Sequence, residues 1–384
     1  MNTIFTIGIF MSLFLAVLLF VKQKKTLSDT ILGVWLLFIS IHLLSYYLHY
    51  LGYCNKYPHL LGVTHPFPLL YAPFLYLYIH FSLQSEQCFK LKHLLHFAPF
   101  VLVYLYLFPF YFGYTAEEKL IFDSQDFDSA YQFFFTISFL MFIASWAIYS
   151  IISYRKLRNY QQLINANFAY EEGISLRWLQ FFIIGIGIVF GTGIIVSVLR
   201  YQFYFNFGFN TDLVFFTLIV LLVASIGFEG IRQQGIFTGK MILQSDIVRN
   251  KSSEYKKSGL KPSEIQAFHE RLLLTMAQEK PYLEPKLTLS QLAEKLEISP
   301  NNLSQIINQC EGKNFYDFVN SYRISEFINR ANDQTNKNLN ILGIALDSGF
   351  NSKSSFNEVF KKQMGKTPSN YLKLQKNNDL TKAK

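Results

Sequence analysis

Apolar residues dominate the first 229 positions, after which the chain changes to polar and amphipathic repeats. Seven apolar stretches lie at about 4–21, 30–52, 61–83, 93–112, 130–153, 178–199 and 210–229. Crossing ~30 Å of hydrocarbon takes about 20 apolar residues in a helix. Lipid offers the backbone no partners, so such segments are helices or the strands of a closed barrel. Continuous apolar runs without alternation choose helices, and the pattern predicts a seven-span membrane domain over 1–229. Residues 230–261 carry Gly230, Gly235, Gly239 and the run "NKSSEYKKSG", which predicts a basic juxtamembrane linker. From Pro262 to about 374 the period is helical and amphipathic. A polar tail at 375–384 is expected to be disordered.

Within 262–374 the helices come in two matching pairs. Thr288 or Ser290 can cap a first helix whose inward residues are Leu292, Ala293 and Leu296. Ser299 and Pro300 suit the cap and first turn of a second helix, with Leu303, Ile306 and Ile307 inward. Its outer face presents Asn301, Asn302, Ser304 and Gln305, whose short amides and hydroxyls suit base edges. A longer amphipathic helix follows over Asn314–Asn332. The pair then repeats: Ile344 and Ala345 point inward, and Gly349 occupies a turn that wants a left-handed residue. The last helix of the pair buries Phe356, Val359 and Phe360 and turns Lys353, Ser354, Asn357 and Lys361 outward. Lys313, Arg323, Lys362 and Lys366 are candidates for phosphate contacts, which hold register without specifying sequence.

Two helix-turn-helix units joined by a helix resemble the AraC/XylS family of bacterial transcription regulators. The resemblance covers about 265–373 and rests on Leu292-Ala293 with Ser299 and Leu303, and on Ile344-Ala345, Gly349-Phe350, Ser352, Ser355-Phe356, Phe360-Lys361, Gly365 and Thr367-Pro368. It implies double-stranded DNA as partner, with two recognition helices in successive major-groove segments about 34 Å apart. Two positions depart from the family pattern. Glu297 stands at the first turn, where Gly is common, and Gln305 replaces a frequently basic residue. The first unit is therefore expected to read bases through amides, with less preference for G·C. The apolar half resembles the polytopic front ends of some Bacteroidetes-type membrane regulators, with no motif that transfers a ligand. The expected fold class is all-α: a seven-helix transmembrane bundle followed by a cytoplasmic double helix-turn-helix domain of AraC type.

Charge orients this arrangement. Residues 1–229 hold 12 Lys+Arg and 11 Asp+Glu, whereas 230–384 hold 23 and 15. A nearly neutral front and a basic back fit a bilayer followed by a polyanion. With seven crossings, one set of loops carries Lys22, Lys24, Lys25, Lys90, Lys92, Arg155, Lys156, Arg158 and Arg177. The other carries Lys56, Lys119 and Arg200. The richer side is expected to be cytoplasmic. The N-terminus then lies outside the inner membrane, and the basic C-terminal third lies in the cytoplasm.

The remaining features add little chemistry. Cys54, Cys88 and Cys310 are scattered and form no metal or disulfide framework. His42 and His49 sit seven apart on one helix face and are the metal candidates. No carboxylate stands beside them, so interhelical hydrogen bonding is expected and no metal or other cofactor. Pro66, Pro68 and Pro73 in one span predict a bend or break. Gly187 and Gly191 suit a helix-packing face. No catalytic set such as HExxH occurs, so no enzyme is expected. These features describe a membrane-tethered transcription regulator whose membrane half senses a signal. Competing readings are a transporter or other membrane protein whose helix-turn-helix domain docks proteins, and a membrane-stored regulator released by proteolysis. A small-molecule ligand in the membrane half and a homodimer are left open as further partners.

Overall fold

The computed structural model describes residues 2–83, 88–124, 129–172, 174, 177–232, 261–333 and 339–382. Most of the linker predicted at 230–261 therefore lies outside the described residues. The chain divides into two compact units. Unit 1 takes Met1–Arg158 and Leu176–Gln244, and unit 2 takes Asn159–Ser175 and Ser245–Lys384. Unit 2 thus takes in 159–175, which the apolar pattern of the sequence assigns to the membrane domain.

Unit 1 is helical among the described residues. It holds α1 (Asn2–Val21), α2 (Leu27–Tyr50), α3 (Tyr53–Lys56), α4 (Pro68–Ser82), α5 (Ala98–Tyr106), α6 (Phe108–Phe112), α7 (Ala116–Ser124), most of α8 (Ser129–Asn167), α9 (Arg177–Gln202) and α10 (Thr211–Arg232). Among the described residues, five segments are long and apolar enough to cross a membrane: Thr3–Val21, Leu27–Tyr50, Thr136–Asn167, Trp178–Arg200 and Thr211–Phe228.

Two of the seven expected spans are not long helices. The stretch 61–83 begins as turns and becomes helical only at Pro68. The 15 residues of α4 reach about 22 Å at ~1.5 Å each. Pro66 and Pro68 lack the N–H groups that would extend the helix backwards. The stretch 93–112 is divided into a 3-10 segment, Leu91–Phe97, followed by α5 and α6. Pro99 and Pro109 lie in the first turns of α5 and α6, where the missing donor is tolerated but a continuing helix is not.

The unit 1 core forms where α1 packs on α2, α2 on α4, and α10 on α1 and α9. Trp35 is buried at its centre, beside Tyr71, Phe74 and Phe182. His42 Nδ1 lies 2.6 Å from the Tyr71 hydroxyl, an α2–α4 hydrogen bond, while His49 is exposed. The expected Gly187–Gly191 packing face is only half used. Gly187 meets Trp146 at ordinary distance, and nothing lies within 4 Å of a Cβ built at Gly191. A glycine contact between helices is found instead at Gly8 of α1, where an added Cβ would lie 2.5 Å from Val220 Cγ2 of α10.

Unit 2 contains α11 (Pro262–Gln278), α12 (Leu289–Lys295), α13 (Pro300–Ile306), α14 (Phe315–Asn332), α15 (Ile341–Asp347), α16 (Lys353–Met364) and α17 (Pro368–Lys382). Two apolar clusters build it. The first joins Leu272 and Met276 of α11 to Leu292, Ala293, Leu303, Ile306, Phe315, Phe318 and Val319. The second joins Ile324 and Phe327 of α14 to Ile344, Ala345, Phe350, Phe356, Val359 and Phe360. One helix, α14, thus supplies both cores. The expected disordered tail at 375–384 is replaced by helix as far as Lys382. No Gly or Pro follows Pro368 to stop it, and Lys, Leu and Gln are good helix formers.

Candidate nucleic-acid interface

Each helix of the two pairs starts where its capping side chain can accept a backbone N–H. Thr288 Oγ1 accepts from Gln291 N at 3.2 Å, and Thr288 N donates in return to Gln291 Oε1 at 2.8 Å. Ser299 accepts from Asn302 N at 3.2 Å, and Asn314 from Asp317 N at 2.8 Å. In the second pair, Asn340 accepts from Gly343 N at 2.7 Å and Ser352 from Ser355 N at 3.3 Å. Both second helices end on a left-handed glycine. A π-turn, Ile307–Glu311, follows α13 before Gly312 at φ 64°, and α16 runs for 12 residues to Gly365 at φ 70°.

The two internal turns are left-handed as well, at Glu297 (φ 55°) and Gly349 (φ 94°). Their surroundings differ. The Glu297 side chain is 80% exposed and reaches Arg271 at 3.5 Å. A Cβ on Gly349 would lie 2.2 Å from the Tyr282 carbonyl oxygen and 2.9 Å from Leu283 Cα. Only glycine fits there.

Burying the apolar face of each second helix turns the opposite face outward. On α13, Asn301 is exposed, and Asn302, Ser304 and Gln305 are half-buried. On α16, Lys353, Ser354, Asn357 and Lys361 are all exposed, with Glu358 beside them. The first surface is neutral and amide-bearing; the second carries cations. Lys366 is exposed, and Lys313 is half-buried near Ser321 Oγ at 3.5 Å. Lys362 Nζ lies 2.6 Å from Asp317 Oδ1, an exposed pair of the kind worth little in water.

Arg323 is a correction. It was expected to meet phosphate, but it is 1% exposed and its donors point inward. Nε donates to the Tyr282 carbonyl at 2.8 Å, and NH2 donates to the Glu284 carbonyl at 2.6 Å. NH1 donates to the Ala169 carbonyl at 2.6 Å. Burial lowers its guanidinium to about 10, so it stays charged at neutral pH. A buried charge is tolerated when hydrogen bonds replace its hydration, and here backbone carbonyls do so. One turn further along, Glu326 receives Arg330 Nε at 2.8 Å, Lys280 Nζ at 3.1 Å and the Tyr282 hydroxyl at 3.2 Å. Burial pushes its carboxyl up, but the bonds from Arg330 and Lys280 outweigh this and hold it below its ordinary value. Periodicity places Arg323 and Glu326 on α14 without revealing either role, because apart from Arg330 the partners named here come from distant segments.

Among the described residues, no group of three or more His, Cys, Asp or Glu could hold a metal ion. No curated protein and no solved structure matches the chain. Residues 292–374 match the helix-turn-helix domain family, and the match begins at Leu292 of α12 and ends in α17. This segment is an AraC-type helix-turn-helix DNA-binding domain, preceded in the chain by a region with five long apolar helices.

Proposed function

We propose that this chain is a membrane-tethered transcription regulator. Its membrane half receives a signal, and its C-terminal half binds operator DNA through α13 and α16. Asn301, Asn302, Ser304 and Gln305 would address one half-site, and Lys353, Ser354, Asn357 and Lys361 the next. Lys313, Lys362 and Lys366 would meet phosphates. The observation that carries this reading is the pairing of two capped helix-turn-helix modules around α14, in a chain with five long apolar helices.

Five crossings and seven are both odd, so either number puts the two chain ends on opposite sides. The loop charges favour seven. With seven, the basic residues divide nine to three. With α4 and 91–106 not crossing, Lys90 and Lys92 change sides and the division falls to seven against five. The positive-inside preference thus supports a C-terminal half in the cytoplasm and shorter segments that still traverse.

Selection from a random duplex pool by the full-length protein in lipid nanodiscs tests the DNA reading. A two-part sequence should be enriched and bound more tightly than its scrambled version. Enrichment of no sequence at moderate salt would overturn it. A fusion after Lys384 to a reporter active only in the cytoplasm should be active; a silent fusion with normal protein levels would overturn the orientation.

A further inference from the structure

The geometry points to a control contact: the segment between α8 and α9 docks on α14 through Phe168–Glu171 and biases how the domain meets DNA. This rests on the DNA-binding reading above and names its regulation. Residues 159–175 fold with unit 2, although 159–167 end one helix that is a candidate to cross the membrane and the residues after them lead to the next.

The seat is specific. Phe168 pairs with Thr288 as an antiparallel bridge, and the Ala169 N–H donates to the Leu287 carbonyl at 3.0 Å. The Ala169 carbonyl accepts from Arg323 NH1 at 2.6 Å and from Asn320 Nδ2 at 3.4 Å. Both polar groups of this residue are therefore satisfied by residues more than a hundred positions away. Phe168, Ala169, Tyr170 and Glu171 are buried, and Ala169 joins the first apolar cluster. Gln161 Nε2 donates to Glu171 Oε1 at 2.8 Å, which holds the segment back against the end of α8.

Arg323 makes the seat consequential. Besides Ala169, its guanidinium holds the 282–285 loop of the first module and lies 5.9 Å from the Phe350 ring of the second. One side chain thus joins the docked segment to both modules. Withdrawing Ala169 would leave a buried charged donor and the Leu287 carbonyl to find new partners, which is costly in a dry site. The relative placement of α13 and α16 would then be less restrained. Movement of α8 or α9 would reach the modules through this contact, which supplies the difference between states that coupling requires.

The test uses full-length protein in nanodiscs and the duplex it enriches from a random pool, with a scrambled duplex as control. Phe168→Asp puts a charge in the seat and leaves the DNA-binding residues intact. Ala169→Pro removes one donor and adds no charge, and it carries the test if the first variant unfolds α12–α16. Amide exchange at Ala169 should be slow in the parent and fast in Phe168→Asp. Affinity for the enriched duplex should fall about tenfold in both variants, with affinity for the scrambled duplex within twofold. Fast exchange at Ala169 in the parent would overturn the proposal. So would enriched-duplex affinity that stays within twofold or tightens once the segment is released. Failure of the parent to enrich any duplex would instead defeat the DNA-binding reading itself.

Discussion

The two helix-turn-helix modules follow one plan with different tolerances. Each has a small inward alanine, Ala293 or Ala345, a left-handed turn, a serine-capped second helix and a terminal glycine. Yet the first turn accepts Glu297 and the second admits only Gly349. Backbone angle alone does not explain this, because both residues have positive φ. The difference is what lies where a Cβ would point: solvent and Arg271 in the first module, the Tyr282 carbonyl in the second. The second turn is packed against the 282–283 backbone, so its glycine answers to space as well as conformation.

Four measurements would break or sharpen this comparison. Gly349→Ala should cost about 3 kcal/mol or more, since strain and a backbone clash combine. Thermal unfolding of the full-length protein would show it, and a loss under ~1 kcal/mol would mean the turn is not packed as described. Next come the outward faces. Gln305→Ala and Asn357→Ala should each lose about 1–3 kcal/mol of discrimination, in different halves of the selected sequence. If both variants relax the same base pairs, the division of labour between modules is wrong.

The third measurement concerns acid. Glu326 has a folded value below its ordinary 4.5. Its contribution is complete above 4.5 and is lost as pH falls through the lower folded value. Melting temperature should fall in that window, and Glu326→Gln should flatten the fall; an unchanged profile would remove Glu326 from the account. The smallest effect is at the tolerant turn. Glu297→Gly relieves a left-handed side chain but frees the unfolded chain, so a gain of up to about 1 kcal/mol is expected. A loss there would mean the Arg271 contact matters more than an exposed pair should.

Much of the DNA-binding half was legible because its signals are local. Ser299, Asn314 and Ser352 cap the helices whose starts they announce, and the apolar spacing gives the buried faces of α13, α14 and α16. Positive φ at Glu297 matches the position where the family resemblance expects glycine. Other features depend on distant partners. Arg323 looks like a surface cation on an amphipathic helix until the carbonyls of Ala169, Tyr282 and Glu284 are brought to it. Nothing in the sequence around Phe168–Glu171 announces its seat, whose residues lie over a hundred positions away. In unit 1, apolar content marks 61–83 and 93–112 as spans, but missing proline donors shorten the helices within them. Gly191 has the spacing of a packing residue, yet no described atom of another segment lies within 4 Å of a Cβ built on it.

The ends of the two second helices differ in winding. The first passes through a π-turn, Ile307–Glu311, to Gly312, whereas α16 keeps its regular period to Gly365. Each residue of a π-turn advances through a smaller angle than in an α-helix, so the side chains that close the first helix are rotated relative to those that close the second. On the DNA reading proposed above, the two helices would not present the same register of side chains to a groove.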